Sequence, residues 1–590
     1  MERRLLLAIV LTFIVLTAYQ WLVSVPQPVP ATETAAPGAT APAAQPPAAS
    51  TAPPPPVVEP PAPPAAVETV QADTAERTII VDNGVVRAVF SNRGATLVAW
   101  ELSSYMGPDG KPVDLVPHDV PPNQPKPFSL KLDDAPASAR VNSALFTTSE
   151  SSSALDARTA PVTIVFEYQD AAGLHARKQF RIEPNAYVVS ITAKVTDGGR
   201  ALNPFVQWGP GLGDVLEVAG GGMFMPLRKS EAIYSIDGDV ERIQAADLGT
   251  TPRYQGNYQF AGVDTHYFIS IAVKPGSAEL EYQPVPVPSK TGDASLSRDY
   301  VGYDIRVQPA PDGSISGRFF VGPKHFDTLR QTDAFLGTDA ELVRAVWFGM
   351  FAFLSVPLLS ALNWVHGFIG NYGWSIIALT FIINALMFPL RHKSNVSMRK
   401  MQAIQPQVKA IQDRYKGLKA TDPARQKMNT EMMELYRQKG VNPASGCVPM
   451  LLTFPVLLAF YSLLSEAIEL RNAPFIWWIH DLAAPDPFYV TPILMGASQM
   501  VQQKMMPMTG ADPVQQKMML FMPIIFTFLF LTVPAGLALY WFASNVLVIG
   551  QQVLTNRLIG AAEAPKNPKS KESKESRESK ESKESKASKV

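Results

Sequence analysis

Two different periods of apolar residues divide the chain. Between Glu76 and about Phe326 they come in short runs rich in β-branched and aromatic side chains: Thr78–Val81, Val85–Phe90, Ala95–Leu102, Val162–Tyr168, Tyr187–Val195, Tyr267–Val273 and Gly317–Val321. Asp82-Asn83-Gly84 and Asn92-Arg93-Gly94 separate the first three, and such turn residues accept the left-handed backbone that closes hairpins. No helical period of useful length interrupts the runs. The pattern predicts a large antiparallel β-sandwich over residues 71–335.

Beyond that domain the apolar runs lengthen and take a helical period. Residues 340–370 are apolar but interrupted by Pro357, Asn363 and His366, with Trp347, Phe348, Phe351 and Leu354 on one face. They predict an amphipathic helix along the outer bilayer surface, with Trp364 at headgroup depth. Five spans follow within residues 371–560: Tyr372–Leu390, Val448–Glu466, Tyr489–Met506, Met518–Val533 and Ala535–Leu554. Several are short or polar for a hydrocarbon thickness of about 30 Å, which takes roughly 20 apolar residues. With Leu5–Val23 near the start, the expected fold is a six-span α-helical polytopic membrane bundle, five spans forming its core, joined to the β-sandwich.

The segments between these elements are polar in distinct ways. Residues 1–25 hold Arg3, Arg4 and the first apolar stretch, whose length favours an uncleaved anchor over a secretory signal. Residues 26–70 are mostly Pro, Ala, Thr and Gln, an extended spacer. A basic helical hairpin at 391–442 separates the first two core spans, with Arg399, Lys400, Lys409, Arg414, Lys416, Lys419, Arg425 and Lys427 facing water. Residues 561–590 end in Lys-Glu-Ser repeats with excess lysine, a disordered basic tail suited to anionic lipid or ribosomal RNA. Arg391, His392 and Lys393 close the first core span, Lys504 and Lys517 mark a second inside loop, and Arg557 ends the last span. The loop Glu469–Pro487 carries Glu469, Asp481 and Asp486 against Arg471 alone. By the positive-inside rule both termini are cytoplasmic and the β domain lies outside.

Composition removes several function classes. Lys plus Arg and Asp plus Glu both total 52, so net charge predicts no nucleic-acid partner. The single cysteine, Cys447, excludes an internal disulfide and a cysteine metal cluster, and the seven histidines show no metal spacing. Phosphate-binding and dinucleotide loops are missing from the sequence, so no cofactor and no nucleotide-driven motor is expected.

The informative chemistry is polar side chains inside the spans. Thr380, Asn384 and Phe388 make one stripe on the first core span. Thr453 and Tyr461 on the next, Gln499, Gln502 and Gln503 on the third, and Tyr540, Trp541, Ser544 and Asn545 on the last are placed to face it. Singly, each is equally well read as interhelical glue of about 0.6–2 kcal/mol. Across four spans together they predict a wet cavity. Methionines at 398, 401, 428, 432 and 433 in the hairpin, and others around the second inside loop, suit a surface that accepts varied apolar sequences, although core packing explains some of them. Pro389, Pro449, Pro455, Pro492, Pro523 and Pro534 punctuate the spans and shape the bundle.

Several segments resemble the YidC membrane protein insertases, in the Gram-negative form with a large periplasmic domain. They are Asn371-Tyr372-Gly373-Trp374-Ser375-Ile376-Ile377, Val441-Asn442-Pro443-Ala444-Ser445-Gly446-Cys447, Ala473-Pro474-Phe475-Ile476-Trp477-Trp478-Ile479-His480-Asp481-Leu482, Asp512-Pro513 with Gln515-Gln516-Lys517-Met518, and Pro534-Ala535-Gly536-Leu537-Ala538-Leu539-Tyr540. The β domain and Phe320-Val321-Gly322-Pro323 are similar more loosely. The resemblance implies a hydrophilic groove, open to the cytoplasm and lipid and closed to the periplasm. It also implies insertion and folding of nascent membrane proteins in the bacterial inner membrane, alone or beside the Sec translocon, with the ribosome and the phospholipid bilayer as further partners. Members of that family typically carry a groove arginine where this chain has Asn384, which leaves Arg391 and Lys393 to supply attraction at the groove mouth. No bond need be broken for such work, so no hydrolytic enzyme is expected. The rival from another class is a polytopic transporter with a periplasmic binding domain, which would normally show internal repeats and a charged midplane residue.

Overall fold

The computed structural model describes residues 69–107, 109–121, 123–213, 230–249, 253–287, 298–415, 423–441, 448–505 and 513–563. The expected anchor, the Pro/Ala spacer, Lys416, Lys419, most of the Val441–Cys447 motif and the basic tail lie outside them.

In the outer domain every expected run forms a strand. Fourteen strands make one sheet and five make a second, with Thr78–Asp82 and Ala154–Asp156 the one parallel pair among the described residues. The reason is visible in Leu174–Ile182, where Leu174, Ala176, Lys178, Phe180 and Ile182 point inward and the residues between them are exposed or half-buried. A side chain from one sheet bonds the backbone of the other: Trp100 Nε1 donates to Val321 O at 2.9 Å. Lys178 is the polar exception in its inward row, fully buried, donating to the carbonyls of Gly94 (2.6 Å), Phe128 (2.8 Å) and Ala95 (3.3 Å). Burial pushes its ammonium down to about 7.

The run at Tyr267–Val273 proves to be about the first third of a 20-residue strand, Phe268–Val287. Its first part pairs with Ile315–Pro323 and its second with Arg298–Val307. The change of neighbour falls at a bend where Lys274 (φ 46°) and Gly276 (φ 69°) take left-handed backbone. A nine-residue helix, α1 (Ala135–Ser143), capped by Asp134 accepting from the Ala137 N–H, breaks the expected all-strand pattern. A second helix, α2 (Phe326–Leu336), ends the domain.

The remaining helices are α3 (Ala352–Ile369), α4 (Tyr372–Ala403), α5 (Gln405–Arg414), α6 (Pro423–Gln438), α7 (Val448–Glu466), α8 (Val490–Met505), α9 (Pro513–Leu529) and α10 (Ala535–Glu563). Among the described residues, Gly349–Ile369, Tyr372–Met401 and Ala535–Arg557 are long and apolar enough to cross a membrane, and Phe454–Glu466 and Phe521–Thr532 are shorter apolar stretches. The helix expected to lie along the surface, α3, thus falls within a stretch that is also long and apolar enough to cross. Its buried stripe of Ser355, Leu359, Leu362 and Val365 packs inward, and Ser355 Oγ donates to Ala459 O of α7 at 3.0 Å. Helices α4 and α10 both run past their expected ends, because the sequence beyond Leu390 and Leu554 is polar but helix-favouring. Helices α3, α4, α7 and α9 continue through their interior prolines.

The β domain grips the outer end of α7. Ser465 O, in the last turn of α7, lies 3.0 Å from His266 Nε2. Glu469 accepts from the Phe326 N–H at 3.2 Å, and Arg471 lies over the rings of Tyr267 and Phe268 at 5.1 and 5.0 Å. Ile468 belongs to the core of the β domain itself. Burial pushes the Glu469 carboxyl up from the ordinary glutamate range, with His325 opposing the shift.

Candidate functional site

Helices α4, α8 and α10 run side by side in the same direction, and polar side chains knit them. Asn545 of α10 donates to Ser498 Oγ at 3.1 Å and to Met495 O at 3.3 Å on α8. One heptad on, Gln552 donates to Met505 O at 2.9 Å. On an adjoining face of α10, Gln551 donates to Asn384 O of α4 at 2.9 Å, and His392 Nδ1 lies 3.3 Å from Thr555 Oγ1.

The centre of this seam is Asn384, 4% exposed. Its amide donates to Thr380 O at 2.8 Å and its side-chain oxygen accepts from Arg391 Nη1. Arg391 starts two turns further along α4 and reaches back toward Asn384, and it also interacts electrostatically with Tyr540. The pocket thus holds a cation at Asn384 although no charged residue occupies that position. Two buried acceptors in the seam, Gln551 Oε1 on α10 beside Asn384 and Gln499 Oε1 on α8, have no hydrogen-bond partner among the described residues. Buried amide oxygens are seldom left so, and these are acceptors the helices themselves do not use.

The other expected groove residues divide between pocket and wall. Thr380 is fully buried, but its hydroxyl donates to Ile376 O of its own helix at 2.6 Å. Tyr540 stacks on Phe460 with centroids 4.2 Å apart, and Trp541 meets Phe530 edge-on at 5.0 Å, so both build apolar wall. Tyr461 packs against the same core, Phe388 lies 5.8 Å from the His392 ring, and Ser544 is half-buried. The Thr453 side chain lies outside the described residues. In the hairpin, Lys400 and Lys409 are exposed and Arg414 pairs with Glu431 at 3.0 Å. Arg399 instead donates to Asn556 of α10, tying the hairpin base to the bundle. Sequence reasoning passed over Gln551 and Gln552. The signal was present: each follows Ser544 or Asn545 by seven residues, and that spacing returns to the same helix face.

The helical half, residues 364–562, matches the 60Kd inner membrane protein family, and residues 78–361 match the YidC periplasmic domain. A membrane protein insertase YidC of Geobacter sulfurreducens is 36% identical over 494 residues, covering 82% of this chain and 87% of that protein. The chain belongs to the YidC membrane protein insertase family. Another YidC, of Citrifermentans bemidjiense, is 35% identical over 575 residues, 95% of this chain and all of that one. A crystal structure of an active YidC insertase with its first transmembrane domain resolved is matched over 83% of this chain and 95% of that chain, at 18% identity and a TM-score of 0.35. In this member of the YidC family the Arg391 guanidinium reaches the buried Asn384 side chain.

Proposed function

We propose that this protein inserts newly made membrane proteins into the inner membrane, and that the pocket of Asn384, Arg391 and Gln551 receives the polar tail a substrate must pass across. The observation that carries the reading is the Arg391 guanidinium drawn onto the buried Asn384 amide, with Gln551 donating to the Asn384 carbonyl and its own Oε1 unpartnered among the described residues. A polar segment crossing hydrocarbon loses several kcal/mol for each unsatisfied group. Donors and acceptors held partway into the bundle shorten the dry distance, and a guanidinium suits the carboxylates of an acidic tail.

The driving force needs no nucleotide. Each Leu or Ile of the substrate span entering the bilayer returns roughly 0.3–0.6 kcal/mol, and the membrane potential adds about 2.3 kcal/mol per charge per 100 mV. The protein lowers a barrier and breaks no covalent bond, so it is not an enzyme in the hydrolytic sense. In this reading both termini are cytoplasmic, the β domain is periplasmic, α3 lies along the outer surface, and the exposed Lys400 and Lys409 face incoming chains. The Sec translocon and the ribosome are its partners at the two faces of that pathway.

Reconstitution tests the proposal. In sealed proteoliposomes supplied with a ribosome-made small membrane protein, the substrate's N-terminal tail should become protected from external protease beyond the level in empty liposomes. Protection equal to empty liposomes, from a folded preparation, would refute autonomous insertion.

A further inference from the structure

The loop joining α7 to α8 is strapped across the outer ends of three helices. Asn371, just before α4, donates through Nδ2 to Pro474 O and Phe475 O, both at 3.1 Å, while its side-chain oxygen accepts from the Trp374 N–H at 3.1 Å. The Phe475 ring lies on Gly373, where an added Cβ would come within 2.1 Å of it. At the other side, the Ala535 and Gly536 N–H groups that open α10 donate to Ala484 O (2.8 Å) and Leu482 O (2.9 Å). Asp486, 1% exposed, accepts from Trp478 Nε1 (3.0 Å), Phe488 N (3.0 Å) and Thr491 N (2.8 Å), which fastens the strap to the start of α8.

Its backbone is strained at the points where a hinged strap would bend. Of nine non-glycine residues with positive φ among the described residues, three fall here: Asn472 (56°) and Tyr489 (57°) at its ends and Trp477 (47°) at its tip. For aromatic side chains that conformation is costly and persists only where surrounding contacts enforce it. The Trp477 side chain, 80% exposed, makes the tip a handle rather than a packed element.

Beneath the strap the bundle is dry. Ile376 and Leu379 of α4, Ile479 and Leu482 of the strap, and Leu537 of α10 are all buried in one apolar cluster. Asn384 lies thirteen residues below Asn371, about 20 Å at 1.5 Å per residue. The polar pocket therefore ends against an apolar plug, and the plug is held by the strap.

We propose that the strap Arg471–Tyr489 is the outer gate of the insertase, released at Asn371 and Asp486 to let a substrate's polar tail out and otherwise closing the bundle to ions. This rests on the insertase reading and adds the route by which a tail leaves. Local release of strain at Asn472 and Tyr489 offsets part of the lost hydrogen bonding as the strap swings, so the closed state is held by contacts and not by backbone preference.

The test bridges the gate. In a Cys447→Ser background, which removes the only native cysteine, Trp374→Cys and Phe475→Cys replace two rings whose centroids are 5.4 Å apart. They are joined by a short bis-methanethiosulfonate reagent: each cysteine thiolate displaces a methanesulfinate and forms a disulfide that reductant can cleave. Bridged protein in proteoliposomes should leave a long polar N-tail unprotected, and reductant should restore protection. Tail protection as complete with the bridge as after cleavage would overturn the proposal. Asn371→Ala, which keeps both rings, should make vesicles leak protons faster than the parent, read with a trapped pH-sensitive dye; unchanged tightness would overturn the closing role. Failure of the Cys447→Ser parent to protect any tail would instead remove the insertase reading and the gate with it.

Discussion

The β domain and the helical core differ in the kind of polar group they bury: ion pairs and a lysine in the first, side-chain amides along the helical seam in the second. In the β domain, buried charges are spent on one another or on backbone. Lys178 has its three carbonyls, Asp170 meets Arg140 at 3.1 Å, and Asp304 meets Lys131 at 3.0 Å and Gln207 at 3.0 Å. In the core, Asn384 and Asn545 are paired, yet Gln551 and Gln499 keep open acceptors within the same seam. Both regions leave some buried polar atoms unpartnered among the described residues, Asn203 Oδ1 and Arg306 Nε in the β domain as well as the two glutamines, so the contrast is one of charge against amide. In the proposed function the amide seam handles substrate and the β domain holds the end of α7.

The sharpest way to break this comparison is to damage the core where it is closed. Gly373→Val drives a branched side chain into the Phe475 ring and should cost about 3 kcal/mol. Its thermal unfolding midpoint in detergent should drop accordingly, and an unchanged midpoint would show that the strap is loosely seated. Next comes the β domain. Free lysine holds its proton to above pH 10, while folded Lys178 gives it up at about 7. Between those values the unfolded state binds more protons, so stability climbs with pH, and the penalty is complete below pH 7. Amides of Leu174–Ile182 in the full chain should therefore show greater opening free energy at pH 9 than at pH 7, after correction for intrinsic exchange. Equal values would show that the three carbonyls hold the ammonium charged.

Smaller effects sharpen the open side. Arg391→Ala should lower insertion of acidic-tailed substrates about tenfold, a loss of roughly 1–2 kcal/mol, with Arg391→Lys intermediate and neutral-tailed substrates little changed. Equal losses for both substrate types would make Arg391 structural. Asn545→Leu removes two bonds between α10 and α8 and should cost only about 0.6–1 kcal/mol of thermal stability, without selectivity among tails.

Much of this architecture was legible in the residues. The seven runs of alternating side chains all became strands, since one inward row per strand is a strong, local signal. Phe268–Val287 was read as about a third of its length because Lys274, Pro275 and Gly276 look like a turn and form a bend inside one strand. Helix α1 was missed because nine residues with two buried side chains give almost no helical period. In the core, Asn384 stood out as a polar residue in an apolar span. Arg391 was expected at the groove mouth and not on Asn384 itself, because a long flexible side chain can point either way along a helix and only packing decides. The strap was least legible: Trp477 and Tyr489 take left-handed backbone that no residue preference announces.

One measurement tests the division of labour directly. A photo-crosslinking side chain placed at Gln551, and separately at Thr192 on the β domain, is carried through insertion of a stalled ribosome-bound membrane protein. Strong crosslinks from position 551 to the substrate's polar tail, with none from position 192, are the expected result. Crosslinks from position 192 with position 551 silent would contradict the account and move substrate handling to the β domain.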